Sequence, residues 1–168
     1  SMRGSDPDAA LYYLARMLQS GEDIKFIARR IMIHACEDVG LADPMAIVVA
    51  TACCLAVERI GMPEGQIILS EAVLYICNAP KSNSSYVSIE RAMELVSFAG
   101  ALDIPDHLKD AHYKSAKKLG HGVNYKYPHD YPNAYIAQQY MPDKLQGVKL
   151  YMQTPNDFTP YRDVAKDN

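Results

Sequence analysis

Residues 43–61 read DPMAIVVATACCLAVERIG, and this stretch decides the fold. Asp43 offers a side-chain oxygen to the unpaired N–H groups that begin a helix, and Pro44 fits the first helical position. From residue 45 to residue 60 the chain is apolar almost all the way round, and a glycine then ends the run. A helix that is apolar on most of its faces has to be enclosed by neighbouring helices or by another subunit. We therefore predict a helical protein that self-associates.

The same pattern of caps and apolar spacing recurs on both sides of this stretch. Asp6-Pro7 repeats the cap-and-proline device, Asp23 is a second cap, and apolar residues follow each at helical spacing. The predicted helices are 7–20, 24–39, 45–60, 62–77 and 86–98. Because short loops join them, neighbouring helices run antiparallel and pack in pairs. The predicted fold class is all-α, an antiparallel helical bundle.

The composition changes after the fifth helix. Residues 113–168 hold 8 of the 12 tyrosines, and 6 of the 10 prolines lie beyond Ile104. One or two short helices fit residues 105–119, split near His112. Beyond Gly120 the prolines forbid any long regular element.

These changes predict how the chain is organised. Residues 3–102 form the helical bundle. Because tyrosines supply apolar area with a polar tip, we expect residues 103–153 to form short helices and an extended arm, packed on the bundle in the same domain. We expect residues 154–168 to form a flexible tail.

Charge and hydropathy exclude several classes of protein. The net charge of −3 and the pI of about 5.9 do not indicate a nucleic-acid or anionic-membrane partner. No apolar run approaches the roughly 18 residues that span a bilayer. No signal segment is visible, and Ser1 is expected to be a cloning remnant. We therefore expect a cytoplasmic protein without a membrane partner, whose four cysteines are buried, reduced thiols.

The motifs that carry common chemistry are missing from the sequence. It has no phosphate-binding P-loop, no dinucleotide-binding glycine pattern, no serine elbow and no zinc-binding His-Glu-x-x-His pair. Two carboxylate groupings, Glu37 and Asp38 with Asp43, and Asp103 with Asp106, lie at predicted helix ends, where capping and interactions with the helix dipole explain them. His34 borders an apolar face and is expected to be a core or interface histidine. We predict no catalytic, cofactor-binding or metal-binding residue.

One basic segment is less easily explained as structure alone. Residues 109–126 carry five lysines against one aspartate, with tyrosines interleaved, in an otherwise acidic chain. Lysines mixed with aromatic side chains are typical of proteins that bind single strands. The alternative is a solvated helix face followed by tyrosines that anchor the arm, and this reading is the favoured one. The candidate nucleic-acid contacts are Lys109, Lys114, Lys117, Lys118, Tyr125 and Lys126.

Several blocks of the sequence resemble one known family in their content and order. The first is residues 3–18, RGSDPDAALYYLARML. The others are IARR at 27–30, EDVGLADP at 37–44, ERIGMPEG at 58–65, APKSN at 79–83, PDHLKDAH at 105–112, YKYPHD at 125–130 and QQYMPD at 138–143. Together they resemble the region that follows the lid in the RarA/MgsA family of AAA+ ATPases, the bacterial replication-associated recombination proteins. Their eukaryotic relative is the Werner-helicase-interacting protein.

This resemblance implies a fold related to the clamp-loader collar, through which the full ATPase assembles as a homotetramer. It implies DNA-dependent ATP hydrolysis in replication, recombination and repair, contact with DNA and single-strand-binding protein, and association with the nucleoid. The family's ATP and Mg²⁺ sites would lie upstream of Arg3, so no such residue carries over to this chain. We expect no enzymatic activity from it.

Three hypotheses about function follow. The first is an oligomerisation domain of a DNA-repair ATPase. The alternative is a module that contacts DNA or a protein through residues 109–129. The third, a small metal-free enzyme that uses histidine and carboxylate groups, has little support in the sequence.

Overall fold

A computed structural model describes residues 1–110 and 119–158 of the chain. Within these residues it contains five α-helices, short 3₁₀ turns and no β-strand, so the predicted all-α fold class is confirmed. The helices are α1 (Pro7–Gln19), α2 (Ile24–His34), α3 (Met45–Ile60), α4 (Gly65–Asn78) and α5 (Ser84–Ala99).

Three aspartates hydrogen-bond the starts of the first three helices. Asp6 and Asp23 are the N-cap residues, as the sequence predicts, whereas Asp43 precedes the N-cap residue Pro44. Asp6, Asp23 and Asp43 each accept a hydrogen bond from a backbone N–H two or three residues further on, at 2.9–3.0 Å. Each bond satisfies one of the N–H groups that a helix start leaves unpaired. The second oxygen of Asp43 also accepts the Tyr75 hydroxyl at 2.8 Å, which ties the start of α3 to α4.

The second helix ends differently from the prediction. The α-helix stops at His34, and Ala35–Val39 continue as a π-helical turn in which the Gly40 N–H donates to the carbonyl of Ala35. Gly40 has φ +49°, and a β-carbon on it would lie 3.1 Å from the carbonyl oxygen of Ser82. The backbone therefore turns here at a position that only glycine fills without strain.

The fourth helix begins at Gly65, three residues later than predicted. Residues 62–64 form a turn instead, because the N–H groups of Gln66 and Ile67 donate to the carbonyls of Pro63 and Glu64, three residues back. The Gly65 N–H donates to the Gly61 carbonyl four residues back, at 2.8 Å, so the turn mixes the two hydrogen-bond patterns before the regular helix begins.

The chain divides into two compact units. The first unit comprises Ser1–Arg91 and Tyr151–Phe158, and α4 is its central helix, packed against α1, α2 and α3. Its core is apolar and closed to solvent. The largest fully buried side chains are those of Ile27, Ile31, Val39, Leu69, Ile76 and Cys77.

The second unit contains Ala92–Leu150. After the last two turns of α5, its described part consists of extended chain broken by 3₁₀ turns. These turns include Asp106–Leu108, Pro128–Asp130, Pro132–Ala134 and Asp143–Leu145. The first turn lies within the predicted short helices, and residues 111–118 of that stretch lie outside the described residues. The domain limits predicted from the sequence stay a prediction.

In residues 1–110 and 119–158, no helix is both long enough and apolar enough to cross a bilayer.

Candidate functional site

An apolar stripe runs along the outer face of α3. Ala46, Ala50, Cys53, Cys54 and Val57 turn inward and are buried in the first unit. On the opposite face the exposed residues recur at spacings of three and four. They are Met45, Val48, Ala52 and Leu55, and the three larger side chains are each more than half exposed. The α3 stripe is therefore a row of unpartnered apolar side chains at the spacing that a facing helix contacts.

A second apolar surface lies between α2 and the start of α5, within the first unit. It is a groove of about 740 Å³, and we call it the α2–α5 groove. Its apolar lining comes from Met32, Ile33, Ile47, Tyr86 and Ile89. Arg29 and Glu37 place one charge of each sign beside it. The apolar row of α5 then continues along the helix with Met93 and Val96, both exposed.

These two surfaces suit protein contacts better than chemistry. A single exposed leucine or isoleucine is ordinary, but contiguous apolar patches bordered by polar residues mark sites of protein association. The groove contains no histidine beside a carboxylate. No group of three histidine, cysteine, aspartate or glutamate side chains that could hold a metal is present among residues 1–110 and 119–158.

A charged cluster lies at the end of α2. The Arg3 guanidinium contacts Asp38 at 2.5 Å and Glu37 at 2.7 Å, and His34 Nδ1 lies 2.5 Å from the other Asp38 oxygen. Burial alone would raise the pKa of the Asp38 carboxyl. The hydrogen bonds from His34 and Arg3 outweigh burial and leave that pKa below its ordinary value. Every polar atom of the buried carboxylate is therefore used in folding.

The cluster corrects one detail of the sequence interpretation. Capping and interactions with the helix dipole were expected to explain Asp38, and its carboxylate in fact contacts His34 and the distant Arg3. No local pattern announces the pair with Arg3, because the two residues are 35 positions apart. The sequence predicted that neighbouring helices or another subunit enclose the helix at 45–60. It did not predict which face of that helix, the α3 stripe, stays exposed.

The predicted lysine–tyrosine site is only partly within the described residues. Lys114, Lys117 and Lys118 lie outside them. Lys109 pairs with Asp106 at 2.5 Å, so part of its charge is neutralised locally. Tyr125 and Lys126 are exposed in the second unit.

Gln138 holds the exposed part of this site in a defined conformation. Its side-chain amide accepts from the Lys126 N–H at 3.2 Å and donates to the Lys126 carbonyl at 2.8 Å and the Tyr140 hydroxyl at 2.9 Å. Tyr125, Tyr127 and Tyr140 are each about half exposed. The aromatic rings near Lys126 are therefore partly open to solvent, and packing of the arm does not bury them fully.

Two neighbouring polar clefts in the second unit are lined by the candidate residues Lys109 and Lys126. The clefts have volumes of about 490 and 560 Å³ and share Asp106, His107 and Gln139 in their linings. Lys109 lines the first cleft and Lys126 lines the second. The structure thus places these two candidate residues beside the same short segment.

The cysteines differ in part from the prediction. Cys53, Cys54 and Cys77 are buried, and burial raises the pKa of each thiol. Cys36 is exposed and lines the α2–α5 groove, so its predicted burial is wrong. It lies in the π-helical turn, where the residues no longer follow the face that α2 buries.

Comparison with known proteins gives the following relationships. Residues 4–163 match the profile of the family described as MgsA AAA+ ATPase C terminal. The Replication-associated recombination protein A of Bacillus subtilis is 47% identical over 151 residues, which cover 90% of this chain and 36% of that protein. The protein of the same name from Escherichia coli K12 is 41% identical over 155 residues, or 92% of this chain and 35% of that protein. An uncharacterized AAA domain-containing protein of Mycobacterium tuberculosis is 50% identical over 154 residues, which cover 92% of this chain and 34% of that protein. This chain therefore spans about a third of the length of these relatives.

Proposed function

The chain belongs to the MgsA family of AAA+ ATPase C-terminal domains, and we propose that it is the domain through which such an ATPase assembles from identical subunits. The α3 stripe carries this proposal. A single chain leaves it in water, whereas a second copy would bury it and gain about 25 cal/mol for each Å² of apolar surface removed from water.

We propose further that the assembly is a homotetramer. A two-fold contact uses the same patch on both subunits, so a dimer requires only one apolar surface. This chain carries two apolar surfaces, the α3 stripe and the α2–α5 groove, and the groove is lined by one α3 residue, Ile47, that is not part of the stripe. A tetramer with two-fold symmetry requires two different self-complementary surfaces, and a closed ring requires two different surfaces that bind each other.

For the complete ATPase we propose a role in replication, recombination and repair of DNA, because relatives bear the name Replication-associated recombination protein A. ATP and Mg²⁺ would bind outside this domain, and DNA and single-strand-binding protein would be partners of the complete protein, at the nucleoid in the cytoplasm. The proposal that ATP binds outside this domain is supported by the sequence, which holds no phosphate-binding loop. Saturable ATP binding by this chain alone, measured by calorimetry, would contradict it.

The assembly proposal is tested by placing charge in the α3 stripe. Leu55→Glu puts a carboxylate where a second copy would otherwise bury a leucine, and an unpaired buried charge weakens association strongly. Gln66→Glu is the matched control, because it adds the same charge at an exposed polar position of α4. Sedimentation should show at least tenfold weaker association for Leu55→Glu, unchanged association for the control, and the same helical circular dichroism for both. Equal association of the two variants would exclude the α3 stripe as an interface.

A second candidate function is nucleic-acid binding by the second unit. It is favoured by the exposed tyrosines on either side of Lys126, since stacking of bases on open aromatic rings beside a cation is how many proteins bind single strands. The test replaces Lys114, Lys117 and Lys118 with alanine in the full-length ATPase. Weaker DNA binding, with a log–log salt slope shallower by about 0.7–0.9 per lost phosphate contact, supports it. If the salt slope is unchanged and the oligomer is intact, the three lysines do not contact DNA and serve only to keep the surface soluble.

A further inference from the structure

The segment 151–158 returns to the first unit after the chain has formed the second, and one of its polar side chains, Asp157, is buried there. Ser82, Ser84 and Asp157 lie in one cluster and are each more than 90% buried. Polar side chains are buried this completely only when they are hydrogen-bonded, so the cluster is a specific docking site for the segment.

Asp157 is the centre of this site. One carboxylate oxygen accepts from the Ser82 hydroxyl and from the Thr154 hydroxyl, the latter at 2.9 Å. The other oxygen accepts from the Tyr151 hydroxyl at 2.9 Å and from the Thr154 N–H at 3.1 Å. Both oxygens are thus satisfied, and the Ser82 bond reaches outside the segment.

The sequence of the segment prepares it for docking. Thr154-Pro-Asn-Asp157 has proline and asparagine at the two central positions of a turn, and the Asp157 N–H donates to the Thr154 carbonyl at 3.1 Å. The turn is therefore formed by local interactions, and it presents the Asp157 carboxylate on one side. Two backbone contacts lie beside it. The Asn156 side-chain amide donates to the Lys81 carbonyl at 2.9 Å, and the Phe158 backbone N–H donates to the Leu41 carbonyl at 2.7 Å.

The receiving residues control the start of α5. The Ser82 hydroxyl accepts from the Ser84 N–H at 3.2 Å, at the first residue of the helix, while the Ser82 N–H donates to the Asp38 carbonyl at 2.8 Å. Thr154 and Tyr86 line the same cavity of about 420 Å³, and Tyr86 also lines the α2–α5 groove. Residues of the same first turn of α5 therefore border both the docking site and the groove.

We propose that residues 151–158 are a strap, locked by Asp157 on Ser82, that fixes the first turn of α5 and thereby holds the α2–α5 groove in the form that a second copy binds. The effect on association rests on the proposed assembly function. The locking of α5 does not, because it follows from the contacts of the strap alone.

The test is hydrogen exchange by NMR on the full chain carrying Asp157→Ala. Loss of a charge-assisted hydrogen bond to a buried group should raise the exchange rates of the Phe158 and Ser84 amides about tenfold or more. The amide of Ile76, in the centre of α4, should change less. Met152→Ala is the matched control, because Met152 lies in the strap but is more than half exposed. If Asp157→Ala does not fold, Asp157→Asn keeps the shape, removes the charge and should show the same pattern more weakly.

Sedimentation of the same variants tests the effect on association. A dissociation constant raised about tenfold in Asp157→Ala, and unchanged in Met152→Ala, supports the strap as a positioning element of the groove. Phe158 and Ser84 amides that exchange at wild-type rates overturn the strap, and wild-type affinity in an associating protein overturns its link to the groove. If the wild-type chain is itself monomeric, the assembly function fails, and the exchange rates alone decide whether the strap locks α5.

Discussion

Two buried carboxylates in this chain hold distant parts of the fold together through hydrogen bonds. Asp157 and Asp38 are buried, and each accepts a hydrogen bond from a residue far away in the sequence. Buried charges are tolerated only when their hydrogen-bonding capacity is filled, and both carboxylates meet that condition. Their partners, Ser82 and Arg3, become important for stability although neither is part of an apolar core.

The pH dependence of stability tests this role for Asp157. Burial alone raises the pKa of its carboxyl, but hydrogen bonds from Ser82, Ser84 and Thr154 lower it from 3.8 to about 2. Because the folded pKa lies below the unfolded one, the stabilisation is present above about pH 4 and is lost as the pH falls towards 2. The shift corresponds to about 2 kcal/mol.

Urea unfolding of the wild type and of Asp157→Asn at pH 7 and at pH 2.5 measures this contribution. The free energy of unfolding of the wild type should exceed that of Asp157→Asn by about 2 kcal/mol at pH 7 and by much less at pH 2.5. A difference in stability that does not change with pH would show that the Asp157 charge is not held by these hydrogen bonds.

Gly40 is a second residue whose identity the fold requires. It has φ +49° and ψ −123°, a conformation that costs other residues about 1–3 kcal/mol, and an added β-carbon would crowd the Ser82 carbonyl at 3.1 Å. Gly40→Ala should therefore lower the free energy of unfolding by about 2 kcal/mol or more. Gly4→Ala is the control, because its added carbon would meet an ordinary 3.6 Å contact at a normal φ. Equal stabilities of the two variants would contradict this account of the turn.

At the scale of the helices, inward and outward positions of one helix should respond very differently. On α4, Ile76 is fully buried and Ile67 is 65% exposed. Ile76→Ala removes packed methyl groups and leaves a cavity, so we expect a loss of about 2–5 kcal/mol. Ile67→Ala should change stability by about 0.5 kcal/mol or less. Chemical denaturation of both variants at low protein concentration provides the comparison, and similar losses would mean that α4 is not the central helix.

The sequence predicts the helices well where the signals are local. Aspartate caps, helical spacing of apolar residues and terminal glycines act within a few residues, so all five helices were found within three residues at each end, apart from the end of α2. The π-helical turn at Ala35–Val39 and the late start of α4 depend on which carbonyl each N–H selects, and composition does not encode that choice.

The candidate surfaces were less predictable for a related reason. That the helix at 45–60 is too apolar for one partner is visible in its sequence, but which of its faces stays in water is set by how α1, α2 and α4 pack. The Asp157–Ser82 contact joins residues 75 positions apart, and each residue alone looks like ordinary turn composition. Contacts of this kind become visible only in three dimensions.

For the whole molecule, the proposed assembly rests on two apolar surfaces that one subunit exposes. The first unit builds a closed core and still leaves the α3 stripe and the α2–α5 groove in water. The second unit presents its exposed tyrosines and Lys126, and it is the part we associate with nucleic acid.

The central claim is that this chain self-associates without nucleotide, and sedimentation of the chain across concentration tests it most directly. We expect the weight-average mass to rise with concentration from the 18.7 kDa monomer towards the tetramer, with the transition at or below about 1–10 μM, a common range for specific assembly. A strictly monomeric species at about 100 μM, well above a typical micromolar dissociation constant, would contradict the account.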